Sequence, residues 1–227
     1  MSRIVLKLGG RVASDAAAQA LALAAEGHEV VVVHGAGPQI TAEMARRGIA
    51  PTFVDGRRVT TPEVLEVVRS SLAEVNAEVC AEIGPTALPF FGDAVGLRAS
   101  QVEALGLVGE PTPSAPTPIE EALAAGRIPV VAPLAARAGD GASLNVNADE
   151  AAAALAVGLG AERILFVSDV PGVFLGEHVV DRIAADDADR MVGDGTFEGG
   201  IVPKLEAAVV ARRGGVRALI GTTEVVA

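Results

Sequence analysis

Short apolar runs alternate along the 227 residues with alanine-rich or amphipathic stretches and glycine turns, the pattern expected of an α/β protein. The first run, RIVLKLGG from Arg3 to Gly10, carries Ile4, Val5, Leu6 and Leu8 and suits a buried strand of a parallel sheet. Ser14 to Glu26 predicts a helix with Ser14 as N-cap and Gly27 just past its end. Val30 to His34 predicts a second buried strand, stopping at Gly35, Ala36, Gly37 and Pro38 before a helix from Gln39 to Arg47 that Gly48 closes. Thr61 to Ile83 predicts a long helix with Thr61 as cap, Pro62 in first position and Gly84 as stop. Val64, Leu65, Val68, Leu72, Val75 and Val79 form its apolar stripe, and Asn76 interrupts its surface.

Farther on, Gly92 to Leu97 is short and ambiguous, and Glu110 to Pro118, with four prolines, predicts an extended loop. Ile119 to Ala125 predicts a helix ending at Gly126, and Ile128 to Ala132 a third buried strand. Ser143 to Gly160, SLNVNADEAAAALAVGLG, reads as a strand end running into an alanine-rich helix. A fourth strand, Arg163 to Ser168, leads into a turn at Asp169 to Val173, which on local chemistry alone is a Pro-Gly turn between strands. Glu177 to Thr196, acidic and poor in large apolar residues, predicts a solvated and partly mobile surface segment. A last helix is expected from Leu205 to Arg213.

Composition narrows the function classes. Half the residues are hydrophobic, yet no apolar run approaches the roughly 18 to 20 residues of a membrane span. The start lacks the basic, apolar and small-residue regions of a signal peptide, and the single cysteine, Cys80, has no partner for an internal disulfide. The expectation is a soluble, cytoplasmic protein with no membrane partner. A net charge of −11 argues against nucleic-acid binding, and the absence of Trp and Tyr removes the usual stacking platforms.

Candidate chemistry lies at strand ends. Lys7 is costly to bury unless an anion meets it, and Gly9 and Gly10 just beyond would let backbone N–H groups approach a phosphate. The other reading is an edge-strand lysine that reaches water. Asn147 or Asp149 can cap the following helix, but capping does not account for Asn145, Asn147 and Asp149 together, whose alternation suits a ligand's polar groups. Lys204, after Gly199 to Pro203, falls where the helix dipole disfavours a cation, which suggests an anion to neutralise. His34 reads as a strand-end residue satisfied by hydrogen bonds rather than a base. No P-loop, complete dinucleotide fingerprint, zinc spacing or nucleophile elbow is present.

Six stretches in order, KLGG at Lys7 to Gly10, HGAGPQI at His34 to Ile40, GRRVT at Gly56 to Thr60, LNVNADEAA at Leu144 to Ala152, SDVPGV at Ser168 to Val173 and GGIVPK at Gly199 to Lys204, resemble the successive motifs of the amino-acid kinase family. The resemblance is strongest to members acting on N-acetyl-L-glutamate. It implies a three-layer αβα sandwich with an open, mainly parallel central sheet. Residues 1–155 would bind the acylated amino acid and dimerise, and residues 156–227 would bind ATP. The implied reaction phosphorylates the side-chain carboxylate of N-acetyl-L-glutamate with ATP and Mg²⁺, the second step of arginine biosynthesis. By resemblance Lys7, Lys204 and Asp149 are catalytic, with Asp149 holding the lysines. Gly35, Ala36, Gly37, Arg58, Asn145 and Asn147 bind substrate, and Gly9, Gly10 and Ser168, Asp169, Val170, Pro171, Gly172, Val173 and Phe174 bind ATP. No protein metal ligand is implied.

The chain departs from the family pattern at Ala36, where glycine is usual, and in a short stretch between Gly172 and Gly199. A homodimer is implied, and because arginine-regulated members carry an extra helix ahead of the first strand, no inhibition by arginine is expected. Two rival readings stand beside this one: a related kinase for another carboxylate, such as carrier-bound aminoadipate, and a catalytically silent amino-acid sensor. The lysine pair argues against a sensor. A carboxylate with a pKa near 4 is ionised at neutral pH, so its phosphorylation needs cations rather than a general base.

Overall fold

Strands that are apolar on both faces need helices on both sides, and the central sheet of the computed structural model has them. Residues 2–9, 13–167 and 170–227 are described, 13–16 by backbone alone. In chain order the elements are β1 (Arg3–Leu8), α1 (Ala13–Ala25), β2 (Glu29–His34), α2 (Gly37–Arg46), the hairpin β3 (Phe53–Val54) and β4 (Arg57–Arg58), α3 (Pro62–Ile83), β5 (Ala87–Phe91) and α4 (Gly92–Val95). There follow β6 (Arg98–Gln101), β7 (Val108–Thr112), α5 (Thr117–Ala124), β8 (Ile128–Ala132), β9 (Leu134–Arg137), β10 (Ser143–Val146), α6 (Ala148–Gly158) and β11 (Arg163–Val167). The chain ends with β12 (Phe174–Leu175), β13 (His178–Val179), β14 (Arg182–Ala184), α7 (Ala185–Gly193), α8 (Val202–Arg213), β15 (Arg217–Ile220) and β16 (Thr223–Val226).

Eight strands form one sheet in the order β14-β16-β15-β11-β1-β2-β8-β5, parallel throughout except at the β15–β16 pairing. This is the expected open, mainly parallel sandwich. Side chains alternate across the sheet. Ile4, Leu6, Leu8, Val30 and Val32 pack with α1, α2 and α3, whereas Val5, Val31, Val33 and Val131 pack with α5, α6, α7 and α8. The same alternation sends Lys7 toward α6 and His34 toward α3.

Long helix α3 keeps its expected ends: the Thr61 hydroxyl accepts the Val64 N–H at 3.2 Å, and Gly84 terminates it. Such a cap is worth about 1 kcal/mol, while each buried Val or Leu of the stripe contributes about 1.5–3 kcal/mol. Packing therefore sets the rotation of the helix. That rotation buries Asn76 with Leu72, Val75 and Val79 instead of leaving it on the surface. No helix among the described residues is long and apolar enough to cross a membrane.

Four expectations need correction. Ser14 lies inside α1 rather than capping it, and α2 begins at Gly37, two residues early, because Pro38 is favoured in a first turn. The Glu110 to Pro118 stretch is partly strand: β7 runs to Thr112 and joins β6, β9 and β10 in a small closed barrel. Pro111 is accepted there because β10 pairs only with Val108 and Gly109, which leaves the proline at an edge. Glu177 to Thr196 is not a loose surface segment. It contains β13, β14 and α7, with Ile183, Ala185 and Ala188 buried and the acidic face of α7 tied to α8 through Arg213 to Asp186 and Asp189, both at 2.8 Å.

Candidate active site

Strands β1 and β2 are adjacent and parallel, so Gly9 and Gly35 emerge at the same sheet edge. Helices α2, α6 and α8 all begin there, and a cavity of about 490 Å³ opens among their first turns. Helix N-termini present free N–H groups and favour anions. All the residues expected to be catalytic or to bind substrate, together with Gly9, line this one cavity.

At its inner end Lys7 and Asp149, each 5 % exposed, form an ion pair of 2.8 Å between Nζ and Oδ1. Lys204, in the first turn of α8, approaches the same oxygen at 3.6 Å. One carboxylate thus faces two ammonium groups, leaving surplus positive charge in a shielded place. Burial pushes Lys7 below the ordinary lysine range; Asp149 opposes that shift and Lys204 adds to it. A Cβ at Gly9 would lie 3.5 Å from the Lys7 Nζ, 3.6 Å from the Lys204 Nζ and 3.2 Å from the Val167 carbonyl. A side chain there would intrude on the space both ammonium groups face.

Asn147 resolves the capping alternatives. Its Oδ1 accepts the N–H groups of Asp149 at 2.7 Å and Glu150 at 3.3 Å, which makes it the N-cap of α6 and frees Asp149 for the lysines. Asn145 donates to the Thr60 hydroxyl at 3.0 Å, and that hydroxyl donates to the Arg58 carbonyl at 2.8 Å. Toward the outer end Arg58, 8 % exposed, meets neutral groups: the Thr41 hydroxyl at 2.8 Å, the Met44 sulfur at 3.1 Å and the Phe53 ring, whose centroid is 4.6 Å from its guanidinium carbon. Burial lowers its pKa. Among the described residues no carboxylate pairs with it, so the cavity carries unneutralised positive charge both here and at the lysine pair.

His34 faces the other way. The Asn76 Nδ2 donates to its Nε2 at 3.0 Å and to the Val130 carbonyl at 3.0 Å, so Nε2 is an acceptor and the imidazole is neutral. The sequence pattern reads Asn76 as a polar interruption of the helix surface and gives it no partner, although its position four residues after Leu72 places it on the buried stripe. Burial depresses the His34 pKa from 6.5 to about 4, with its contact to the Gly35 carbonyl opposing the shift. A histidine whose folded pKa lies below its unfolded one binds fewer protons when folded. Stability is therefore expected to fall, by about 3 kcal/mol, as pH drops from 6.5 to about 4. Urea denaturation across that window should show the loss in the parent and a much smaller one in His34→Gln.

On the proposed nucleotide side, Gly10, Ser168 and Asp169 lie outside the described residues. Val173 is fully buried and its N–H is taken by the Thr223 hydroxyl at 2.8 Å, while the Pro171 carbonyl accepts the Thr222 N–H at 2.7 Å. A Cβ on Gly172 would lie 2.6 Å from the Thr223 hydroxyl and 2.7 Å from a Val179 methyl, so close packing requires glycine there. Val170 and Phe174 are exposed. Thr222 and Thr223, which secure this loop, carry no local signal in the sequence. Among the described residues no group of three His, Cys, Asp or Glu side chains converges as a protein-held metal would need.

A model of the amino acid kinase family matches residues 2–222. The chain belongs to this family. Among amino acid kinase relatives, the acetylglutamate kinase of Acidothermus cellulolyticus is 40 % identical over 241 residues, covering 95 % of this chain and 81 % of that protein. The acetylglutamate kinase of a Geobacillus species is 37 % identical over 219 residues, covering 92 % of this chain and 85 % of its own. The crystal structure of smu.665 from Streptococcus mutans superposes with a TM-score of 0.88 at 26 % identity and covers 99 % of this chain and 98 % of that one.

Proposed function

We propose that this protein transfers the γ-phosphoryl group of ATP to the side-chain carboxylate of N-acetyl-L-glutamate, giving N-acetyl-L-glutamyl 5-phosphate for arginine biosynthesis. The observation that carries the reading is the pair of ammonium groups sharing one buried carboxylate in the same cavity as an arginine that, among the described residues, has no acidic partner. Two cationic sites on different elements of one cavity, Arg58 on β4 and the lysines on β1 and α8, suit a ligand with two carboxylates, one to be held and one to be phosphorylated. The acetylglutamate kinases it resembles support the same substrate.

In this reading Arg58 binds the α-carboxylate, and Gly35, Ala36 and Gly37 with Asn145 and Asn147 bound the acyl amide. A distal carboxylate oxygen attacks the γ-phosphorus as the bond to the β–γ bridging oxygen breaks, and ADP leaves with the electron pair. No proton moves. The chain has to lower the repulsion between anions, which Lys7 and Lys204 do at the transferring group, while Asp149 fixes both ammonium groups. Mg²⁺ enters as part of the substrate, on the phosphates of ATP. The 168–174 stretch belongs to the nucleotide side, so that residues 1–155 and 156–227 form substrate and nucleotide halves joined through one sheet, with Gly9 of the first half lying along the phosphates. A cytoplasmic homodimer completes the reading.

Hydroxylamine trapping of acyl phosphate, run with ATP and Mg²⁺, tests it. Product is expected with N-acetyl-L-glutamate and little with free glutamate, whose α-ammonium would sit against Arg58 and the N–H groups of the α2 terminus. Equal rates with the two substrates would overturn the assignment.

A further inference from the structure

Among the described residues β3 and β4 form a ladder with each other alone, and the chain is next tied to the body by backbone at Thr60, whose N–H donates to the Leu105 carbonyl at 3.0 Å and whose carbonyl accepts the Leu107 N–H at 2.7 Å. Two-stranded hairpins are marginal alone, so beyond the Thr60 anchor the position of the turn end depends on what its side chains grip. Its turn, Asp55–Gly56, has positive φ at both residues, 48° and 73°, as a two-residue primed turn requires, and Phe53 and Val54 are exposed. The hairpin lies over the cavity, which Phe53, Gly56, Arg57 and Arg58 all line. Adjacent arginines point opposite ways along β4. Arg58 reaches α2, on one side of the sheet, through Thr41 and Met44. Arg57 reaches the other side, donating to Glu110 of β7 at 2.8 Å and to Glu150 of α6 at 2.9 Å.

We propose that Arg57 is a positioning residue: its ion pairs with Glu110 and Glu150 latch the hairpin across the cavity mouth and thereby set the place of Arg58. Arg57 bridges the hairpin, whose strands pair with no other strand among the described residues, to two elements of the body, and Glu150 is next in sequence to Asp149. The latch links the outer, substrate-holding end of the cavity to the helix that carries the carboxylate at its inner end. Glu110 is largely exposed and Arg57 partly so. The exposed Arg57–Glu110 pair is weak by itself, and the Arg57–Glu150 pair, whose carboxylate is mostly buried, is the firmer hold. Two carboxylates on separate elements also fix a guanidinium's direction, which one would not.

The use of acetylglutamate as probe rests on the functional reading above, so the test includes a measurement that does not. The chain has no tryptophan, and Val54→Trp, at an exposed hairpin position, supplies a single reporter. Without any ligand, introducing Arg57→Ala should raise its acrylamide quenching constant about twofold, Glu110→Gln should raise it less, and Arg57→Lys should restore part of the protection. In steady-state assays Arg57→Ala should raise the KM for acetylglutamate about fivefold with a much smaller change in kcat and in the KM for ATP. NaCl at about 0.5 M should raise the parent KM toward that of Arg57→Ala and leave the variant little changed, because salt screens partly exposed pairs. Unchanged quenching in both Arg57→Ala and Glu110→Gln would overturn the latch, as would a loss confined to kcat. A parent inactive on acetylglutamate would overturn the functional reading alone, and quenching would then decide the latch.

Discussion

Lys204→Ala is expected to lower kcat by about 10²-fold or more while changing the KM for acetylglutamate much less. The ammonium lies 3.6 Å from Asp149, in the first turn of a helix whose dipole opposes a cation, and faces the same space as Lys7. A cation held there by a carboxylate already paired at 2.8 Å is not placed for stability. Its electrostatic advantage appears when an anion occupies the space between the lysines, most of all when phosphoryl charge spreads in the transition state. Lys204→Arg should also be poor, since a planar fork does not replace a compact ammonium in a tight site. Steady-state kinetics with both substrates checks this. A rate within threefold of the parent would make Lys204 an ordinary helix-start residue.

Asp149→Asn should damage stability as well as rate. It leaves the Lys7 ammonium buried with a second ammonium nearby and no counter-charge, and breaking a buried pair on one side typically costs about 3–5 kcal/mol. The sign with pH follows from Lys7. Its folded pKa, already lowered by burial, drops further without Asp149, so the unfolded chain binds more protons over the interval up to the ordinary value of 10.5. The defect should be largest at neutral pH and shrink as pH rises toward 10.5, which urea denaturation of parent and variant at several pH values would measure. Lys7→Met combined with Asp149→Leu should regain most of the stability, because an apolar pair of similar volume avoids the desolvation cost. It should not regain phosphorylation. A variant as stable as the parent at neutral pH would show that the pair is better solvated than its burial implies.

Much of the architecture was legible because it is local. Four buried strands, the ends of α3 at Thr61 and Gly84, and the capped start of α6 follow from apolar runs, cap residues and glycine stops that act within a few residues. The candidate site was legible to a similar degree. Lys7 in an apolar strand, Lys204 at a helix start and the alternating Asn145, Asn147 and Asp149 each break the local rule for a stable element. Such breaks mark places where something else must compensate.

What stayed hidden depends on contacts distant in sequence. The four barrel strands are short and two-sided, and their pairing pattern is set by one another. Asn76 reads as a surface interruption until the rotation of α3 delivers it to His34 and Val130. Ile183, Ala185 and Ala188 give an acidic segment enough apolar surface only once the sheet edge and α8 are present to cover it. Arg57 looks like any exposed arginine until β7 and α6 bring two carboxylates to it. The sequence by itself determined the four buried strands β1, β2, β8 and β11, the long helix α3 and which charged residues are out of place at element ends, because propensity, periodicity and capping are short-range. Tertiary structure alone decided that Lys7, Asp149 and Lys204 meet, that Asn147 takes the cap so that Asp149 is free, and that Arg58 lines the same cavity with no acidic partner among the described residues, because side chains from separate elements converge only where the packed sheet and helices bring those elements together.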